Sequence, residues 1–180
     1  MTVNYRESYD LFSVSGILFN RESPLRGKQF VTRKIVSHLV RIYLGLTDIP
    51  LALGNLDAKR DWGHAKDYVR GMNMMLDYME PTDFVLATGK TYSIREFVQK
   101  VCEFLDFSII WSGAEVDEVG VDNKTNKILV RVDQKFYRPC EVDLLRGSPK
   151  KAEDLLGWQR DYDLSALIED MVKSEISFES

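Results

Sequence analysis

Five basic side chains fall between positions 21 and 34: Arg21, Arg26, Lys28, Arg33 and Lys34, against the single acid Glu22. That local excess of positive charge, beside Asn20 and Thr32, suits phosphate or pyrophosphate. A solvated basic loop would have the same composition. A second cluster is Lys59, Arg60, Asp61, Trp62, Gly63, His64, and a third is Tyr137, Arg138, Pro139 with Glu141 and Asp143. An arginine stiffened by a flanking aromatic and a proline can grip a diphosphate with its fork of donors. A nearby glutamate can accept from sugar hydroxyls. Taken singly, each cluster reads equally well as a structural ion pair.

Other chemistries lack their residues. His38 and His64 are the only histidines, neither has a partner at metal-ligand spacing, and HExxH is absent, so no metal is expected. There is no Gly-x-Ser-x-Gly elbow for a serine hydrolase and no GxxxxGK[ST] loop. No GxGxxG follows any strand, so the pyrophosphate site of a Rossmann half is missing. An α/β chain needs such a loop to hold a nucleotide by itself, and the chain therefore reads as a piece of a larger unit. Cys102 and Cys140 are too few for a disulfide framework or a thiolate metal cage, and Cys102 reads as an inert core residue. The glycosylation triplet Asn123-Lys124-Thr125 is not expected to be used.

The elements that must position these clusters alternate between periods of two and about 3.6, the pattern of mixed α/β structure. Positions 11–19 (LFSVSGILF) read as a buried strand, followed by a polar loop over 20–29 with Pro24 and Gly27. Ile35, Val36, Leu39, Val40 and Ile42 form a helical stripe closed by Gly45. Positions 51–53 form a short strand. Val69, Met72, Leu76 and Met79 mark a second helix, with the methionines Met72, Met74, Met75 and Met79 packed in the core. Positions 84–87 (FVLA) read as a buried strand before Gly89. Ser93 and Glu96 make a capping box, opening a helix with Phe97, Val101, Phe104 and Leu105 on one face. An exposed turn leads into the strand ILVRV, and the acidic run Glu115, Asp117, Glu118 reads as a solvated loop. Ser148 and Pro149 fit the N-cap and first position of a helix ending near Gly157. A last helix over about 164–176 turns Leu167, Ile168, Met171 and Val172 inward.

The whole chain is ordinary for a globular protein: 180 residues, 44% hydrophobic and 29% charged. Its net charge of −4 argues against a general nucleic-acid or membrane-surface binder. No window approaches the roughly 18 consecutive apolar residues of a membrane span, and MTVNYRESYD has no secretory apolar run. A reducing, cytoplasmic setting is expected, without membrane or nucleic-acid partners.

Three stretches carry a resemblance: GILFNRESPLRGKQFVTRKI, LALGNLDAKRDWGHAKDYV and VDQKFYRPCEVDLLRG. Together, with FVLATG and SIREF between them, they closely resemble the GDP-mannose 4,6-dehydratase family of the extended short-chain dehydrogenase/reductase superfamily. LGNLDAKRDWGHAKDYV separates that family from most sugar-nucleotide epimerases. The resemblance implies a Rossmann domain plus a smaller substrate domain, tightly held NADP, and conversion of GDP-mannose to GDP-4-keto-6-deoxymannose. A hydride leaves C4 of the sugar, water is lost across C5 and C6, and the hydride returns at C6. The cofactor carries the redox step, while protein groups supply acid, base and orientation.

By the same resemblance, Asn20 contacts the sugar nucleotide, and Arg21, Glu22 and Arg26 border the cofactor. Lys34 and Arg60 hold the GDP part, with Gly54 and Asn55 lining that wall. Arg138 binds the diphosphate, and Glu141 holds a hydroxyl of the nucleotide. The family carries His where this chain has Arg21, Thr at Cys140 and Trp at Asn73. The glycine-rich phosphate loop, the Tyr-x-x-x-Lys pair and the other catalytic groups are expected upstream of Met1, so no catalytic residue is expected within the chain. The implied fold class is α/β: the C-terminal part of a Rossmann-like NAD(P)-binding fold (about 1–20 and 60–89) plus the smaller α/β substrate-binding domain (about 21–59 and 90–180). The chain alone is expected to be inactive, marginal or self-associating, and the complete enzyme a homo-oligomer. The other readings are a non-catalytic product that binds GDP-sugar or pairs with a full protomer, and a related GDP-sugar epimerase or reductase.

Overall fold

A computed structural model describes residues 1–137 and 142–180, so the expected ligands Arg138 and Glu141 lie outside the described residues. The chain opens with α1 (Thr2–Tyr9), β1 (Gly16–Leu18), β2 (Asn20–Glu22) and α2 (Val31–Tyr43). Then come β3 (Leu51–Leu53), β4 (Lys59–Arg60), β5 (Trp62–His64), α3 (Ala65–Leu76) and β6 (Phe84–Leu86). They are followed by β7 (Tyr92–Ser93), α4 (Ile94–Phe104), β8 (Ile109–Ser112), β9 (Val119–Asp122) and β10 (Ile128–Val132). The chain closes with β11 (Leu144–Leu145), α5 (Lys150–Leu156) and α6 (Leu164–Glu179).

Strands β1 and β6 pair in parallel, as do β2 and β5. Parallel neighbours need long crossovers, here carried by α2 and α3. A four-stranded sheet runs β3-β10-β9-β8, parallel at its β3–β10 pair and antiparallel elsewhere. The third arrangement, β11-β4-β7, joins the late chain to its middle.

Helix α2 turns Ile35, Val36, Leu39, Val40 and Ile42 into the main core. Gly45, at φ +71°, follows its end in the left-handed region that glycine tolerates best. The capping box of α4 forms as its sequence dictates. The Glu96 N–H donates to Ser93 Oγ at 3.1 Å, and the Ser93 N–H donates to Glu96 Oε2 at 2.6 Å. Helices α2, α4 and α6 then close over β3, β10 and Trp62, whose ring meets Phe97 edge-on at 5.1 Å. Each large apolar side chain buried there is worth about 1.5–3 kcal/mol. A second core gathers Tyr68 and Met75 of α3, Phe84 and Leu86 of β6, Ala152 of α5, and Trp158. The Asp67 carboxylate ties it down, accepting from the Asp161 and Tyr162 N–H groups at 3.0 and 3.2 Å.

Four sequence expectations shift. Of the strand expected over 11–19, only Gly16–Leu18 forms, and Leu11, Phe12 and Ile17 are exposed. Its apolar run signals a strand covered on both faces, but among the described residues β1 pairs with β6 alone and Ile17 stays 56% exposed. Helix α3 buries Tyr68, Gly71 and Met75, while Val69 and Leu76 face outward and Met79, beyond its end, is exposed. Counting aliphatics and methionines misses that Gly71 lets Leu86 and Trp158 approach, which sets the buried face. Phe104 is exposed at the end of α4. Pro149 occupies the cap position of α5 and the helix starts one residue later, at Lys150.

Candidate functional site

The register of β2 against β5 sets Asn20 opposite Trp62, Arg21 opposite Gly63 and Glu22 opposite His64. Asn20 Nδ2 donates to the Asp61 carbonyl at 3.0 Å. Glu22 is buried and its carboxylate accepts from Thr32 Oγ1 at 2.5 Å, with Arg26 Nε at 3.2 Å. Burial raises the Glu22 pKa above the ordinary carboxylate range, against the pull of the Thr32 hydroxyl and of the Arg26 and Arg21 charges. The Arg26 guanidinium lies 3.5 Å from the centre of the Phe30 ring, so it is clamped between a carboxylate and an aromatic face. Arg21 is exposed.

Lys34 projects from the first turns of α2. Its Nζ donates to the Ala52 carbonyl at 2.7 Å and stands 3.7 Å from the centre of the Phe136 ring. Partial burial lowers its pKa, and the Asp133 charge opposes that shift. Gly54 packs against the same segment. A Cβ there would sit 2.3 Å from the Phe136 carbonyl oxygen, so only glycine allows the approach. Asn55 caps its own turn, accepting the Asp57 N–H at 2.9 Å. Arg60 Nη1 donates to the Lys59 carbonyl at 2.9 Å and also to that of Val142. The Lys59 N–H donates to the Asp143 carbonyl at 2.7 Å, and β11 runs parallel to β4 with Leu145 opposite Arg60. The described residues just before and just after 138–141 therefore touch Gly54 and Arg60.

Asp61 binds these parts together. It is fully buried, and its carboxylate accepts from the Thr88 N–H at 2.8 Å, the Gly89 N–H at 2.9 Å and the Gly147 N–H at 3.3 Å. One side chain thus joins the β4–β5 junction, the turn after β6 and the approach to α5.

The family model for GDP-mannose 4,6 dehydratase matches residues 1–171. The chain is 51% identical over 178 residues to a GDP-mannose 4,6 dehydratase of Dictyostelium discoideum, covering 99% of this chain and 50% of that one. To the Homo sapiens GDP-mannose 4,6 dehydratase it is 51% identical over 176 residues, covering 98% and 47%. The chain belongs to the GDP-mannose 4,6-dehydratase family. It spans about half the length of the curated relatives it matches. Among solved structures, RMD from Pseudomonas aeruginosa complexed with NADPH superposes with a TM-score of 0.78 at 16% identity, covering 98% of this chain and 52% of that one. The dTDP-glucose 4,6-dehydratase of Bacillus anthracis in complex with NAD gives 0.74 at 14% identity, covering 99% and 49%. These likenesses establish the fold: part of a Rossmann-like α/β architecture.

In this family member the sequence-predicted residues separate into two groups. Lys34, Gly54 and Arg60 gather around the 133–137 and 142–145 segments, Asn55 follows Gly54 and caps its own turn, and Asn20 is joined to Arg60 through Asp61. Arg21, Glu22 and Arg26 gather with Thr32 and Phe30. The basic window is therefore not one patch. Arg33 turns into the core to pair with the buried Glu175 of α6, and Lys28 lies near the Phe178 ring. The sequence reading placed Asp61 in its second cluster without a role and missed Phe136 and the Arg33–Glu175 pair. Adjacency to Arg60 was the only signal for Asp61, and the other two meet across more than a hundred residues. Cys102 is buried, and burial pushes its thiol up to about 12, as for an inert core residue. Among the described residues no group of three His, Cys, Asp or Glu could hold a metal ion, and no helix is long and apolar enough to cross a membrane.

Proposed function

We propose that the chain is the GDP-sugar-holding part of a GDP-mannose 4,6-dehydratase, which converts GDP-mannose to GDP-4-keto-6-deoxymannose with NADP. The observation that carries this reading is the meeting of Gly54 and Arg60 with the two flanks of the Tyr137-to-Val142 stretch, inside a family match of nearly full length. In this reading Arg60 and Arg138 grip the diphosphate with charge-assisted donors. Lys34 holds the nucleotide from the α2 side, Gly54 and Asn55 line the wall, Asn20 faces the sugar nucleotide and Glu141 accepts from a hydroxyl.

Arg21 lies in β2 and Arg26 in the loop that follows it, and a clamped arginine fits the phosphates of an anionic dinucleotide. Bound NADP would supply reversible hydride acceptance. Arg26 would orient it, and Glu22, whose Oε2 meets both Thr32 and Arg26, would act by holding Arg26 in place. The second core and the β1–β6 pair would belong to the nucleotide-binding domain, and the larger core to the substrate domain. The buried free thiol of Cys102 fits a reducing cytoplasmic compartment, and the exposed apolar side chains of β1 and α3 fit a homo-oligomer.

The test is calorimetric. The 180-residue chain should bind GDP yet form no 4-keto sugar from GDP-mannose. Arg138→Ala should weaken GDP binding by about 1.5–3 kcal/mol, the range for charge-assisted bonds. Unchanged affinity would remove Arg138 from the site, and 4-keto product from the purified chain would overturn the division of labour.

A further inference from the structure

Helix α2 carries Lys34, Ser37, His38 and Arg41 at helical spacing on its outer side. With Lys28, Thr47 and Glu179 they line a hollow of about 320 Å³ between α2 and the end of α6. Three cations face one carboxylate there, in a chain whose overall charge is negative. Neighbouring charges are matched: Arg33 pairs with Glu175, and Lys127 with Asp48. Among the described residues neither Lys28 nor Arg41 has a carboxylate partner. Lys28 has only the Phe178 ring, 5.4 Å from its Nζ.

The neutral groups of the hollow are also arranged. His38 Nε2 lies 2.8 Å from the Ile49 carbonyl, an acceptor, so that nitrogen carries the proton and Nδ1 is an acceptor. The Thr47 hydroxyl oxygen accepts the Ile49 N–H at 3.2 Å, which leaves its O–H to donate elsewhere. The loop that presents Thr47 is braced by Lys127 on Asp48 at 2.7 Å.

We propose that this hollow binds a small phosphorylated anion, gripped by Arg41 and Lys28 and hydrogen-bonded by the Thr47 hydroxyl. Arginine and lysine are suited to phosphate oxygens. Lys34 stands at the border, its ammonium already engaged by Ala52 and Phe136. The grip falls instead to Lys28 and Arg41, which have no part in the GDP cradle. The site goes beyond the dehydratase reading and stands without it.

Pyrophosphate is the probe, titrated into the 180-residue chain and followed residue by residue through backbone amide NMR shifts. Saturable shifts over residues 37–47 are expected. The Lys28→Gln/Arg41→Gln double variant should weaken the binding read there at least tenfold, while Arg60→Gln leaves it unchanged. Shifts confined to residues 54–64, an effect of Arg60→Gln but not of the double variant, or no saturable shift over 37–47 would each overturn the site. Failure of GDP to bind in the separate calorimetric test would bear on the cradle alone.

Discussion

Asp61 is a charge taken fully out of water, and what holds it there is three backbone N–H groups from two other segments. A buried carboxylate is tolerated only with such partners. Asp61→Asn keeps the shape but turns one acceptor into a donor facing N–H groups. It should cost about 3 kcal/mol of stability, from lost charge-assisted bonds and a frustrated donor, read as a lower urea midpoint at unchanged slope. Lys34 gives a prediction in pH. Its pKa is lowered in the folded chain by burial, with Asp133 opposing. Between that lowered value and the ordinary lysine value the unfolded chain binds more protons, so stability must rise with pH across that window. In Lys34→Met the rise should be absent, and denaturant melts at stepped alkaline pH would show the two slopes part. Parallel slopes would mean that Lys34 is solvated like any surface lysine.

At the scale of elements, the cradle depends on how closely β3 approaches the 134–137 segment. Gly54 sets that approach, because a Cβ would meet the Phe136 carbonyl oxygen at 2.3 Å. Gly54→Ala should push the segment away, weakening GDP binding at least tenfold while the helical circular dichroism stays unchanged. Equal affinity would show that the segment adjusts at no cost. The elements themselves were largely legible: the stripe of α2, the capping box of α4 and the inward face of α6 follow from spacing alone. Spacing failed on α3 because Tyr68 and Gly71, not Leu76 and Met79, meet the neighbouring β6 and Trp158. It failed at positions 11–19 because a strand's apolar run does not say how many partners it has. The site was legible as three basic segments, but not as a division of labour among them. Arg33 looks like its neighbours in sequence and is removed from them only by Glu175, an acid on the last helix.

At the scale of the whole molecule, the two ends of the fold are unequally protected. Helix α1 buries no side chain, and it is held through Arg6, which pairs with Asp83 and donates to the Ser13 carbonyl at 2.7 Å. Next to it β1 has one partner strand among the described residues, and Ile17 at its centre is more than half exposed. An apolar strand with an unpaired edge is a template for another chain, and natural sheets block such edges with charge, often lysine. No charged residue lies within β1. The 180-residue chain should therefore self-associate through this edge, with a sedimentation coefficient that climbs with concentration. Ile17→Lys should weaken that association at least tenfold, or about 1.4 kcal/mol, and leave GDP affinity unchanged because β1 takes no part in the cradle. A wild-type chain that sediments as a monomer throughout would mean the edge is blocked by its own loops. An association that Ile17→Lys does not touch would move the contact to the exposed Val69 and Leu76 of α3.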